Sequence, residues 1–250
     1  MLPFLNLFGV AIAFPPLVLI LGIWLGANLS EKHAAKHGIS GDQIFNLIFT
    51  GLAAYIVGGR LSYAAQHPSA FSDNLLSIFS RNFGLFDPLG GFVIGLIAIV
   101  IYGQRKKLAA WQTLDAITPA LAVVLLALPL ANLASGEAFG AVSELPWAIE
   151  LWGATRHPVQ LYEALAAGLI LWQIWPGRIQ KGETAGLEFL RLLSYSAFAR
   201  LLFEGFRGSS VAVSSLNLRV AQLAAWLTLA GALWLYHSRK TRPEVKNGKS

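Results

Sequence analysis

Seven long apolar stretches divide this chain, and no other feature of the sequence restricts its fold as strongly. They run at about 10–29, 43–66, 86–103, 113–134, 158–175, 186–207 and 216–236, each near the ~20 residues a helix needs to cross a hydrocarbon core. The expected fold is therefore all-α, a polytopic membrane protein with seven transmembrane helices. Composition agrees: 55% of the 250 residues are hydrophobic and 13% are charged, against about 25% charged residues in soluble domains. Residues 1–237 read as one membrane domain, and 238–250 as a basic, polar tail expected to be disordered. Pro15 and Pro16 should kink the first stretch or start its regular part. Gly90, Gly91 and Gly95 should let a neighbouring helix approach the third closely.

The basic residues are distributed unevenly. Lys32 and Lys36 follow the first stretch, Arg105, Lys106 and Lys107 the third, and Arg178 and Lys181 the fifth. Arg239, Lys240, Arg242, Lys246 and Lys249 follow the seventh, so twelve of the nineteen basic residues share one side. The positive-inside rule makes that side cytoplasmic, with the N-terminus outside and the C-terminus inside. The net charge of +6 is thus a matter of topology and of contact with anionic lipid heads, and no nucleic-acid partner is expected. The first basic residue is Lys32, so the first stretch lacks the charged start of a secretory signal and reads as a retained span. The chain has no cysteine, which excludes disulfides, a thiolate nucleophile and a cysteine metal site.

Charges inside apolar stretches are costly and mark function by default. Arg200, Glu204 and Arg207 are spaced i, i+4, i+7, so a helix would carry all three on one face. The expected topology puts Arg60, Asp87, Asn132, Glu137, Arg156, Gln160 and Glu163 at the same outer depth, which points to a shared site. Residues 135–157 form a long connection containing Trp147 and Trp152. They suit either a small external lid or an interfacial anchor.

Two short motifs, GlyGlyArgLeuSerTyr at 58–63 and ArgHisProValGlnLeuTyrGlu at 156–163, precede ArgLeuLeuPheGluGlyPheArg at 200–207. Together with AsnLeuAlaSerGlyGluAlaPheGly at 132–140 and the glycine pair 90–91, they resemble the bacterial prolipoprotein diacylglyceryl transferases. The resemblance implies transfer of diacylglyceryl from phosphatidylglycerol to a cysteine thiol in the signal peptide of a lipoprotein precursor, in the bacterial inner membrane. It implies Arg200 and Glu204 as catalytic residues. By the same resemblance Arg60, Asn132, Glu137, Gly140, Arg156, Gln160, Tyr162, Glu163 and Arg207 line the substrate site. Arginine suits an anionic phosphate because its planar guanidinium is permanently charged. No cofactor and no metal are implied. Two positions depart from the family pattern: Leu89 stands where a histidine is usual, and Pro129 where an arginine is usual. They leave open a relative that binds anionic lipid or a lipidated partner without transfer. The intramembrane charges alone also permit a small transporter, although no internal repeat is visible.

Other polar residues carry weaker signals. His33 and His37 have the i, i+4 spacing of metal ligands, but no acidic partner completes a site, and they are expected in a cytoplasmic loop beside Glu31 and Lys36. His67 and His157 flank prolines at helix ends and suit capping. Tyr63 and Tyr162 suit interfacial anchoring as well as substrate contact. Asp115 and Arg191 read as ordinary interface charges.

Overall fold

The computed structural model describes residues 4–7, 10–71, 84–175, 183–208, 212–213 and 218–241. Arg178, Lys181 and the tail at 242–250 lie outside the described residues. Seven α-helices run through the described chain: α1 Phe14–Ala34, α2 Gly41–Gln66, α3 Pro88–Arg105, α4 Ala110–Ser135, α5 Val159–Gln173, α6 Leu187–Phe203 and α7 Val220–Lys240. Four segments are long and apolar enough to cross a membrane: α1 with its 3-10 extension (Phe14–His37), α2, α3 and α4. The α5 and α6 helices have 15 and 17 residues, short of the ~20 a straight span uses. Trp24, Leu96, Leu165, Leu169, Trp226 and Leu227 turn half or more of their surface outward. So much exposed apolar surface suits a lipid environment.

Among the described residues, three two-stranded antiparallel ribbons supplement the helices: β1 (Phe4–Leu7) with β2 (Val10–Ala13), β3 (Ile149–Leu151) with β4 (Ala154–Arg156), and β5 (Ala212–Val213) with β6 (Leu218–Arg219). The first ribbon corrects the expected bounds of the first stretch. Residues 10–13 pair as a strand, with Ala13 opposite Phe4, and the helix begins at Phe14 with Pro15 and Pro16 in its first turn. Proline fits there because the first-turn N–H groups have no intrahelical partner.

Small residues set the helix contacts. A Cβ on Gly26 of α1 would lie 2.9 Å from the Ala120 Cα of α4, and Gly22 faces Ala127. Those pairings run antiparallel. Beside Pro119, the Ala120 N–H donates to the Ser30 hydroxyl at 3.0 Å. On α3, Gly91 and Gly95 meet the Tyr55 and Gly51 carbonyls of α2, the close approach that the glycines predicted. Ala122 of α4, Ile170 and Ile174 around the end of α5, and Leu192 of α6 form one buried cluster. Successive helices alternate in direction, so Arg200, Asn132 and Glu163 gather at one end of the bundle. Lys32, Lys36, Arg105, Lys106, Lys107, Arg239 and Lys240 lie at the other.

Candidate functional site

The charged stripe forms, but not on a regular helix. The α6 helix ends at Phe203, Glu204–Phe206 tighten into a 3-10 turn, and Arg207 is extended at φ −74°, ψ 140°. The cause sits outside the stretch. The Arg219 guanidinium donates to the carbonyls of Glu204 and, at 2.7 Å, of Arg207, satisfying groups that a helix end leaves without partners. Arg219 was not singled out from the sequence, although it too is a charge inside an apolar stretch, near the start of 216–236.

The turn folds Arg207 back onto α5. Its Nη2 donates to both oxygens of Glu163 at 2.7 Å, and its Nε to Oε1 at 3.0 Å, a bidentate pair of the strong kind. Arg200 Nη2 lies 2.8 Å from Glu204 Oε2 and its Nη1 lies 3.5 Å from Glu163 Oε1. Glu204 is 2% exposed, whereas the Arg200 side chain is 40% exposed. Two guanidinium groups and two carboxylates therefore balance, and Arg200 is the cation presented outward.

Arg200, Arg207 and Glu163 form one end of a cavity of about 210 Å³. Asn132 lines it, and Leu125, Leu128, Ala167 and Ile170 give it aliphatic walls. Pro129 also lines it, so the position where the resemblance leads one to expect an arginine faces Arg200's cavity. Leu89 does not: it is 73% exposed, beside the Asp87 cap of α3. Cation at one end and hydrocarbon walls along the rest suit an amphiphile with an anionic head.

The remaining expected site residues divide into two groups. Glu137, Gly140 and Arg156 belong to the 136–157 segment, and Gln160 and Tyr162 of α5 fasten it to the cluster. Gly140 pairs in a strand-like bridge with Arg207, and Val142 with Arg156. A Cβ on Gly140 would strike the His157 carbonyl, which requires glycine there. Arg156 donates to the Leu151 carbonyl at 3.0 Å and stacks over Phe139. Buried Gln160 donates to the Glu137 carbonyl at 2.8 Å, and the Trp147 indole to the Tyr162 hydroxyl at 2.7 Å. The Glu137 side chain is exposed. His157 packs its ring against Phe206.

Arg60 stands apart from the cavity lining. It donates to the Leu85 carbonyl at 3.1 Å, and its motif clamps α2 to the start of α3. Gly58 meets Ile94 and Gly59 meets Phe86, while Ser62 donates to Asp87 at 2.6 Å. Polar residues of the five helices share one end of the bundle, where those of α5 and α6 form a tight cluster with Asn132 alongside and those of α2 and α3 form a separate joint.

Two further sequence expectations change. Asp115 is a buried cap that accepts the Gly186 and Phe189 N–H groups at 2.5 and 2.9 Å, so it orients the start of α6. His33 belongs to α1 and is 1% exposed, not part of a solvated loop. Its acidic partner is Glu188, which lies 155 residues away on α6 and went unnoticed inside an apolar stretch.

These features define a helical membrane protein with an ion-paired, half-apolar cavity at one end of the bundle. The sequence model of the family described as prolipoprotein diacylglyceryl transferase matches residues 4–237, and the chain belongs to that family. A phosphatidylglycerol–prolipoprotein diacylglyceryl transferase of Pseudoalteromonas translucida is 30% identical, over 92% of this chain and 91% of the relative. The protein of the same description from Enterococcus faecalis is 28% identical, over 96% and 91%. That of Idiomarina loihiensis is 31% identical, over 82% and 79%.

Proposed function

We propose that this protein transfers the diacylglyceryl group of phosphatidylglycerol to the cysteine thiol of a lipoprotein precursor signal peptide. The observation that carries this is the Arg200–Glu204–Arg207–Glu163 cluster at the head of an aliphatic cavity in a chain of this family. The phosphate head sits against Arg200, and acyl chains run along Leu125, Leu128 and Ile170. The thiolate sulfur attacks the glyceryl carbon, a C–S bond forms, and the C–O bond to phosphate breaks. Glycerol phosphate leaves with that electron pair, and the proton lost by sulfur balances the charge it gains. Arg200 stabilises both the thiolate and the departing phosphate, where charge develops. Glu204 and Glu163 hold the two arginines in place. Asn132 lines the head-group site, while Glu137, Gly140, Arg156, Gln160 and Tyr162 position it through the 136–157 segment.

The chain crosses the bacterial cytoplasmic membrane seven times, N-terminus outside and C-terminus inside, as one unit that extends past the expected boundary at 237 to the end of α7 at Lys240, with a basic tail beyond it. Gathering of Lys32, Lys36, Arg105, Lys106, Lys107, Arg239 and Lys240 at the end away from the cluster supports that orientation. The 3-10 turn after α6 lengthens that segment toward a full span.

A second function follows from Pro129, which puts a group with no side-chain donor on the cavity wall: binding anionic lipid without transfer. A transporter is disfavoured, because each described helix is continuous. One assay separates the first two. Purified protein in phosphatidylglycerol micelles is given a lipobox peptide, and thioether product is measured by mass spectrometry. Wild type is expected to form it and Arg200→Ala to form none. Lipid-dependent thermal stabilisation without product would establish binding alone and refute transfer.

A further inference from the structure

We propose that His33, His37 and Glu188 bind a divalent transition-metal ion that staples α1 to α6. This site is independent of the lipid cavity and lies at the opposite end of the bundle. Glu188 precedes Arg200 by twelve residues, roughly 18 Å along the helix at ~1.5 Å per residue.

One ligand atom from each of the three side chains lies within 4.8 Å of the other two. His33 Nε2 lies 2.6 Å from Glu188 Oε2, His37 Nε2 lies 3.4 Å from Glu188 Oε1, and the two Nε2 atoms are 3.1 Å apart. Ligands held ~2.0–2.1 Å from a tetrahedral zinc ion sit about 3.3 Å from one another. The two longer separations are close to this, and the shortest must open by about 0.7 Å when an ion enters.

Protons satisfy the arrangement poorly. A neutral His33 that donates Nε2–H to Glu188 has no lone pair left on that nitrogen for His37, which faces it at hydrogen-bond distance. His33 Nδ1 is buried without a hydrogen-bond partner, and it carries the N–H both in an imidazolium and in a ligand bound through Nε2, so it weighs equally on both states. A metal ion instead takes one lone pair from each of the three side chains and leaves open positions for water.

Charge and access point the same way. Glu188 is flanked in sequence by Gly186 and Phe189, whose N–H groups hold the buried Asp115 carboxylate. The Asp115 carboxylate thus adds a second negative charge beside the Glu188 segment, and a dication offsets both. The His37 side chain is 12% exposed, which leaves an entry path. Two histidines and one carboxylate form a borderline donor set, suited to zinc and its neighbours rather than to calcium or magnesium. The sequence pointed away from this site because the third ligand comes from a distant helix.

The test uses full-length protein without a polyhistidine tag, purified in detergent and stripped with chelator. Titration with Zn²⁺ is expected to show one ion bound per chain and a raised thermal midpoint. Co²⁺ should give a visible ligand-field band. His37→Ala and Glu188→Gln should each weaken Zn²⁺ binding by about 10- to 100-fold or more and abolish the band. Glu188→Gln preserves size and hydrogen bonding, so it separates metal binding from simple folding. A wild type that binds no more Zn²⁺ than Glu188→Gln, or gives no Co²⁺ band, would overturn the proposal and leave a hydrogen-bonded cluster.

Discussion

Arg207 and Arg200 carry the same charge a few residues apart, yet their surroundings give them different work. Arg207 spends its donors on Glu163 in a bidentate pair, and lysine cannot reproduce that planar geometry. Arg207→Lys is therefore expected to lose ~1.5–3 kcal/mol, read as a lower thermal midpoint in detergent. A fall of about tenfold or more in transfer rate should accompany it. Asp87 makes a different prediction. It caps α3 just before the apolar run, and the Ser62 hydroxyl, with the Gly90 and Leu89 N–H groups and Gln66, holds its carboxyl below the ordinary value of 3.8 despite desolvation. A lowered folded-state value stabilises the fold above that ordinary pH and ceases to do so as pH falls through the lowered value. The thermal midpoint of wild type should thus drop on acidification from about pH 5 to pH 3 more than that of Asp87→Asn. Both residues stood out in the sequence as charges in oily surroundings. Their partners did not, because Glu163 is 44 residues from Arg207 and Ser62 is 25 from Asp87.

At the scale of elements, glycine patterns were legible and terminal geometry was not. Gly91 was expected to admit a neighbouring helix, and a Cβ there would lie 2.7 Å from the Tyr55 carbonyl. Gly91→Ala should push α2 from α3 at a cost of ~1–3 kcal/mol, seen as a lower midpoint. Gly103→Ala, where a Cβ meets open space, should leave it unchanged. Periodicity could not foresee that Val10–Ala13 form a strand or that α6 stops at Phe203. An apolar tetrapeptide fits either backbone, and the turn after α6 is fixed by Arg219, which approaches from the next element. The motif containing Arg60 shows the same limit. Its sequence marks it as special, but only packing reveals a clamp on Leu85 and Asp87 rather than a wall of the cavity.

For the whole molecule the sharpest prediction concerns sidedness, and the absence of native cysteine makes it measurable. A membrane-impermeant maleimide should label Glu144→Cys in intact spheroplasts, and Lys106→Cys only after the membrane is opened. The reverse pattern would invert the proposed topology. The sequence by itself determined the apolar helical architecture, the end where basic residues gather, and the family. These are properties of local composition and spacing, each readable within a window of about twenty residues. Only the tertiary structure decided which charges meet: Glu163 with Arg207, Glu188 with His33, and Arg219 with the end of α6. Those meetings depend on how each helix is rotated and where it crosses its neighbours. Small-residue contacts such as Gly26 on Ala120 fix that rotation, and no single stretch of sequence contains both sides of such a contact.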